Sequence, residues 1–449
     1  MRSVLFLAYH FPPVGGAGVQ RSLKFVRYLP ELGYRPIVVT GPGRAAGRWT
    51  PADDTLAREL PRGVEILRAA GPEPPASTGH RARAERLLGR DGPFSRWWIE
   101  GALAAGIEAG DVDLVYASMS PFETAEAAAE LARRLGKPWV ADLRDPWALD
   151  EMTVYPSSLH RRRAVARMRS ALASADAIVM NTHESAREVQ VRFPELRARL
   201  VTAIPNGFDS ADFAGPAPAR DDAAFRIVHA GYLHTGLGLR LREAGRLRRA
   251  LGGYEPGLDI LTRSHVVLLR ALARVLERAP EERRRIELHL AGRLSDADRA
   301  AIASEPEAAG LVRAPGYLSH DETLRLVCSA DLLFLPMHDL PAGRRTRIVP
   351  GKTYEYVAAG RPLLAAVPDG DARDLLERAP AAVLCRPADE AGMAEAILAQ
   401  LARSRAGEPA PQPDREFLAR YERRRLTEQL AGVFDGVAGS CGHEARCAA

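Results

Sequence analysis

Short runs of apolar residues alternate with stretches in which apolar positions recur every three or four residues, almost from one end of the chain to the other. Val4-Leu5-Phe6-Leu7-Ala8-Tyr9 is a continuous apolar run of strand length, and Val19, Leu23, Val26 and Leu29 behind it repeat at helical spacing. A continuous run marks a strand covered on both faces, and strands separated by helices mark βαβ units of a parallel sheet. The same pattern predicts strands at Pro36–Thr40, Val64–Leu67, Asp113–Ala117, Trp139–Asp142, Ala177–Met180 and Leu200–Ile204. Helices are predicted over Val19–Leu32, Ser95–Ala109 and Phe122–Leu135, around Arg161-Arg162-Arg163, and from Glu184 onward. Residues 69–92, rich in Pro, Gly and Arg, read as an exposed, mobile loop.

The alternation stops at Pro205-Asn206-Gly207, and Asn206–Ala224, with its prolines and charges, reads as a linker. It restarts at Phe225-Arg226-Ile227-Val228-His229 and predicts further strands at Ile286–Ala291, Leu311–Ala314, Asp331–Leu335, Leu363–Val367 and Ala381–Cys385. The Arg- and Gly-rich stretch 237–259 reads as an insertion of helical type, followed by a helix over Ser264–Ala279. A Pro-rich break at Pro409–Pro413 precedes a last amphipathic helix, Asp414–Phe434, leaving 435–449 as a flexible tail. At 449 residues the chain exceeds what one core supports. The expected architecture is therefore α/β, with two doubly wound domains, 1–205 and 206–413, facing each other across a cleft. Ligands of such sheets bind beyond the carboxyl ends of the strands, so the chemistry is sought in the loops that follow them.

Composition narrows the partners. With 46% apolar and 27% charged residues the chain reads as soluble and globular. A net charge of +5 without a dominating basic block suits phosphorylated substrates, leaves open peripheral contact with an acidic membrane surface, and argues against nucleic acid. Four cysteines are too few for a disulfide framework; Cys328 and Cys385 read as core residues, and Cys441, His443 and Cys447 lack a fourth metal ligand. No apolar span reaches the roughly 20 residues needed to cross a bilayer, so a cytoplasmic location is expected.

The densest chemistry lies in Pro350–Pro362. Lys352 and Glu355 stand about one helical turn apart near a predicted helix start, where unpaired N–H groups favour anions. Lys352 and Thr353 add donors for a phosphate, and Glu355 is an acceptor for sugar hydroxyls. After the first strand, Gly15, Gly16 and Gly18 let backbone N–H groups approach a ligand. That loop lacks the third glycine of a dinucleotide fingerprint, and position 21 is Arg. Thr346 occupies the place a phosphate-binding ATPase loop would give to glycine. In the second half, Gly231 follows a strand in the same way, Arg293 follows another, and Arg344, Arg345 and Arg347 add positive charge suited to a diphosphate leaving group. Asp142-Leu143-Arg144-Asp145 ends a strand with two carboxylates and a guanidinium, a catalytic or acceptor-binding constellation. Of the Asp-x-Asp triplets only Asp369-Gly370-Asp371 follows a strand, and it reads as a turn and cap, so no metal is expected.

Taken in order, the glycine loop Phe11–Gly18, the junction Ala203-Ile204-Pro205-Asn206-Gly207-Phe208-Asp209, and Lys352-Thr353-Tyr354-Glu355-Tyr356-Val357-Ala358-Ala359-Gly360-Arg361-Pro362 resemble the family-4 glycosyltransferases. The resemblance implies a GT-B fold of two Rossmann-like domains, a nucleoside diphosphate sugar held by the second, an acceptor held by the first, and a final helix that crosses back to the first. It also implies retention of anomeric configuration; the transfer is expected to need no cofactor and no metal. Glu355 matches the second glutamate of the family's Glu-x7-Glu motif, which contacts the donor ribose, while Gly15 and Gly16 match a loop near the donor phosphates and sugar. Two positions depart from the pattern: Arg347 stands where the first glutamate belongs, and Ala117-Ser118-Met119-Ser120-Pro121 lacks the histidine common after the fourth strand. Asp142, Arg144 and Asp145 look like the feature of a subgroup without that histidine, serving the acceptor. The departures keep two other readings in view, an epimerase of sugar nucleotides on the same fold and an inactive subunit that only binds sugar nucleotide or glycan.

Overall fold

The computed structural model describes residues 1–43, 52–75, 78–80, 92–215, 218, 220, 222–243 and 250–447. Two compact units divide it. Met1–Gly207 and the chain from Tyr421 onward form the first, and Phe208–Arg420 forms the second.

In the first unit the predicted runs become seven parallel strands: β1 (Arg2–Ala8), β2 (Tyr34–Thr40), β3 (Glu65–Arg68), β4 (Leu114–Met119), β5 (Trp139–Leu143), β6 (Ala177–Met180) and β7 (Leu200–Ala203). They lie in the order β3-β2-β1-β4-β5-β6-β7, with Leu5 opposite both Ile37 and Val115. Because side chains alternate across a strand, β1 feeds two cores at once. Leu5, Leu7 and Tyr9 join Trp98, Leu131 and Trp139 on one face, while Val4, Phe6 and Ala8 join Phe25 and Tyr116 on the other.

That second face is closed by the end of the chain. Leu426, Leu430 and Phe434 are buried against it, and the Phe434 ring lies 5.3 Å from Tyr34 and 5.7 Å from Tyr116. The helix expected over Asp414–Phe434 is two helices. Arg415–Ala419 belongs to the second unit, where Arg378 covers the Phe417 ring, and Arg423–Cys447 belongs to the first. The stretch 435–449, expected as a flexible tail, continues the helix as far as Cys447, because Val437 extends the same apolar stripe one turn past Phe434. The side chains of Cys441, His443 and Cys447 lie outside the described residues.

The second unit repeats the winding with six parallel strands: β8 (Phe225–Ala230), β9 (Ile286–Ala291), β10 (Val312–Gly316), β11 (Leu332–Pro336), β12 (Leu363–Ala366) and β13 (Ala382–Cys385). Their order is β10-β9-β8-β11-β12-β13, and Val266–Arg278 and Glu390–Arg405 are the main helices over its core. Both units are thus Rossmann-like, and the connections change direction beside β1 and β4 in the first, beside β8 and β11 in the second. Of the expected 237–259 insertion, 244–249 lies outside the described residues, as do most of 76–92 and positions 216, 217, 219 and 221 of the expected linker. The insertion begins as a helix, Thr235–Glu243, and Gly238 lets it touch the returning chain, since a Cβ there would stand 2.5 Å from the Leu261 backbone. Among the described residues no helix is long and apolar enough to cross a membrane.

Replacing Phe434 by Ala removes the ring that closes the second face of the first sheet, and is expected to destabilise the protein by about 3–5 kcal/mol. Urea unfolding of the full chain measures it, and an unchanged midpoint would mean that the terminal helix does not complete this core.

Candidate functional site

In the second unit the ends of β8 and β9 are brought together through two glycines. Gly231 has φ 118 and Gly292 φ 133, conformations that side chains rarely adopt, and a Cβ on Gly292 would stand 2.9 Å from the Gly231 carbonyl oxygen. The Gly231 N–H donates to the Ala291 carbonyl at 2.8 Å. The helix Lys352–Ala358 is fastened here by the buried Tyr356, whose hydroxyl accepts from the Ala230 N–H at 2.9 Å. One turn earlier on that helix, Lys352 comes so close to Gly231 that a Cβ there would sit 2.8 Å from the ammonium nitrogen. The backbone gap left by glycine is therefore filled by a lysine head group.

Lys352 Nζ also lies 3.3 Å from His229 Nε2, and His229 Nδ1 lies 3.1 Å from the Phe334 carbonyl oxygen. A carbonyl only accepts, so Nδ1 carries the hydrogen and Nε2 presents a lone pair to the lysine. Enclosure lowers the lysine to about 7, helped by the nearby Arg263 and opposed by Glu355. His229 is held far below the usual histidine range, first by burial and then by Lys352. Burial, Arg263 and Lys352 push His234 down to about 3, so its ring is neutral at physiological pH. Arg263 and Lys352 thus concentrate positive charge at the end of β8, beside the β8/β11 switch point, the usual ligand side of such a sheet.

The other expected donor residues fall into two groups. Glu355 is partly buried one turn beyond Lys352, and Arg293 is exposed directly after Gly292. Thr353, by contrast, is fully buried; its N–H donates to the Pro350 carbonyl, and its hydroxyl has no hydrogen-bond partner among the described residues. The structure therefore corrects its expected phosphate contact, because the helix turns its side chain into the core. The extra cations are corrected in the same way: Arg344 pairs with Glu255, and Arg345 with Asp374 and Asp371. Asp369 accepts from the Gly343 N–H and pairs with Arg386, the structural role expected of its turn. The pattern of the sequence did not single out Arg263, which sits in an irregular segment and gains its meaning only from Lys352.

In the first unit, Gly16 takes φ 92 directly before the helix Ala17–Tyr28, and Gly15 precedes it in the loop after β1. Asp142 does not serve this edge. It is fully buried, receives two 2.7 Å hydrogen bonds from the buried Arg21, and also accepts from the Tyr116 hydroxyl. Arg21 in turn donates to the Ile204 and Pro205 carbonyls at 2.8 Å. The expected catalytic role of Asp142 is thus corrected to a structural one, since both its oxygens are committed out of reach of solvent. Arg144 is mostly enclosed and donates to the Gly18 carbonyl, which clamps the glycine loop to the end of β5. A Cβ on Gly18 would strike its guanidinium at 2.7 Å. Asp145, 3.8 Å from Arg144, has a side chain 49% exposed and is the accessible carboxylate of the constellation. His10 lies beside this group, lowered to about 3 by burial and by Arg144.

Two family models match in tandem, one described as Glycosyltransferase Family 4 over residues 14–212 and one as Glycosyl transferases group 1 over residues 261–403. No curated protein matches the chain. Among solved structures, Anabaena Alr3699/HepE in complex with UDP and glucose superposes with a TM-score of 0.58 at 16% identity, over 97% of this chain and 100% of that one. Sucrose-phosphate synthase from Thermosynechococcus elongatus gives 0.65 at 14% identity, over 98% and 100%. A putative UDP-N-acetylglucosamine 2-epimerase from Listeria monocytogenes gives 0.54 at 12%, over 96% and 95%. At these identities the likeness establishes the GT-B fold.

Replacing Asp142 by Ala removes the carboxylate that faces the buried Arg21 guanidinium, and is expected to cost about 3–5 kcal/mol of stability. A variant as stable as the parent in thermal and urea unfolding, yet inactive, would return Asp142 to the chemistry.

Proposed function

Because the chain belongs to glycosyltransferase family 4, we propose that it moves a sugar from a nucleoside diphosphate sugar to an acceptor hydroxyl with retention of anomeric configuration. The observation that carries the donor assignment is the Lys352 head group seated against Gly231 beside Arg263. Two half-buried cations near each other suit the two phosphates of a leaving diphosphate better than they suit any neutral ligand. As the bond from the anomeric carbon to the diphosphate breaks and the bond to the acceptor oxygen forms, negative charge gathers on the diphosphate, whose oxygen takes the proton that the acceptor hydroxyl gives up. Fixed positive charge there lowers the barrier without reorganising. Glu355, one turn away, takes the ribose hydroxyls, and Arg293, exposed after Gly292, is a further contact for the nucleotide. Arg144 and Asp145, beside the loop of Gly15 and Gly16, take the acceptor. No metal or other cofactor is called for, because lysine and arginine supply the charge. A uridine diphosphate sugar is the first donor to test, since the HepE structures hold UDP and UDP-glucose. The acceptor is a glycan, a lipid-linked saccharide or a small molecule, and the enzyme works at the cytoplasmic side, where such donors are available.

Turnover across a panel of nucleotide sugars, with the anomer of the product read by NMR, tests the proposal. Lys352→Ala is expected to lower kcat/KM by about 10²–10³-fold, and Glu355→Ala to act mainly by raising the donor KM. Unchanged turnover in both variants would overturn the site, and an epimerised donor formed without any acceptor would overturn the reaction.

The lysine also predicts a pH dependence with a definite sign. A diphosphate favours charged Lys352, so its affinity is full below about pH 7 and falls by up to about tenfold per unit as the free lysine deprotonates above it. Lys352→Arg, which stays charged, flattens this limb. Calorimetric titration with UDP between pH 6 and 9 measures it, and an equal fall in both proteins would place the titrating group elsewhere.

A further inference from the structure

A histidine inside a parallel strand is ordinarily a packing residue, and nothing in the run Phe225-Arg226-Ile227-Val228-His229 suggests otherwise. Its surroundings are more specific. His229 is buried in the last turn of β8, one residue before the Ala230 N–H that Tyr356 accepts from and two before Gly231. Its Nδ1–H is committed to the Phe334 carbonyl of β11 at 3.1 Å, which fixes the tautomer, and its free lone pair on Nε2 points at Lys352 Nζ, 3.3 Å away. The ring therefore spans the β8/β11 switch point, with one nitrogen on the sheet and the other on the lysine.

We infer that His229 is a positioning residue for donor binding, holding the Lys352 ammonium at Gly231 as an obligatory acceptor. This rests on the donor-site reading above. The lysine stem has four rotatable carbons, and a solvated ammonium would spread over many rotamers. A buried acceptor at the end of the stem removes that freedom before the nucleotide arrives, so that less binding energy is lost in ordering the side chain. The acceptor must also be uncharged, since a second cation would repel the ammonium. The ring meets that requirement through its surroundings: Lys352, Arg263 and His265 all act on it electrostatically against protonation, and burial does the same. Against the lysine stand Arg263, which disfavours its charge, and Glu355, which favours it. His229 thus favours the lysine's charged form without adding charge, a balance that a carboxylate in its place would change by neutralising the site.

The two nitrogens can be separated by substitution. His229→Asn keeps an amide where Nδ1 donates to Phe334 but withdraws the acceptor from Lys352. His229→Gln keeps an acceptor at the reach of Nε2. The experiment is calorimetric titration of UDP, GDP and ADP into the full chain and both variants between pH 6 and 9, with the melting temperature of each recorded. The expected result is that Asn weakens nucleotide binding about tenfold, the worth of one positioned hydrogen bond, and moves the alkaline fall in affinity to lower pH, while Gln stays within about twofold of the parent. The inference is overturned if the two variants lose affinity equally with the fall at the parent's pH, or if Asn binds as the parent does while only its melting temperature drops. If the parent itself binds none of the three nucleotides, the donor-site reading fails, and this inference falls with it. Binding in the parent with indistinguishable variants leaves the donor site standing and removes His229 from it.

Discussion

The second unit depends on the absence of a side chain at one strand end. At Gly231 the chain leaves β8 with a positive φ, and the space a Cβ would take holds the ammonium of Lys352. Everything nearby serves that contact. Tyr356 fastens the lysine's helix to the Ala230 N–H, Gly292 lets the end of β9 come up beside it, and His229 closes the lysine's other side. A charged group placed among buried partners is costly on its own, and burial, with Arg263 nearby, lowers Lys352 to about 7. An anion with two phosphates relieves it. The free site is therefore unfavourable in the one respect that the proposed ligand corrects.

The first unit solves a different problem at the corresponding place. There the cation nearest the switch point, Arg21, is not held for a ligand but is satisfied internally by Asp142 and by the Ile204 and Pro205 carbonyls. A buried ion pair adds little net stability when intact, because desolvation offsets the attraction, yet it is expensive to break. Its effect is on geometry: it joins the helix after the glycine loop to β5 and to the junction after β7. Arg144 then ties the Gly18 carbonyl to the same strand end. The glycine loop is thereby tied to the strand end at which Asp145 remains accessible. The two doubly wound sheets thus place their polar groups differently: the second gathers Lys352, His229 and Arg263 at a strand end, and the first commits Arg21 and Asp142 to each other.

How much of this is legible in the sequence differs by kind of feature. Thirteen strands and most helices follow from the alternation of short apolar runs with helical periodicity; the central strands, such as Arg2–Ala8, Leu114–Met119 and Leu332–Pro336, are the plainest because they are buried on both faces. Gly16 and Gly231 are legible as glycines in the loops after strands because their positive φ is a conformation that few other residues adopt. Thr353 and Asp142 were misjudged because composition gives the type of a side chain and not its direction. In a short helix the neighbour of an accessible lysine points inward, and a carboxylate in the last turns of a strand faces the core as readily as the loop. The arginines at 344 and 345 were misjudged because their partners, Glu255, Asp371 and Asp374, lie up to about ninety residues away.

By itself the sequence determined that the chain folds as two doubly wound α/β units, where the break between them falls to within a few residues, which glycines stand at strand ends and which lysine opens a helix. These are consequences of local periodicity and of backbone conformations that few residues allow. Only the tertiary structure decided which charges are spent on the fold and which are kept. It brings Arg263 and His229 to Lys352, turns Asp142 to Arg21 and Arg345 to Asp374, and runs the terminal helix on to Cys447. The physical reason is the same in each case: the energy of a charge or an apolar stripe is set by what faces it across space, and that partner is distant in the chain.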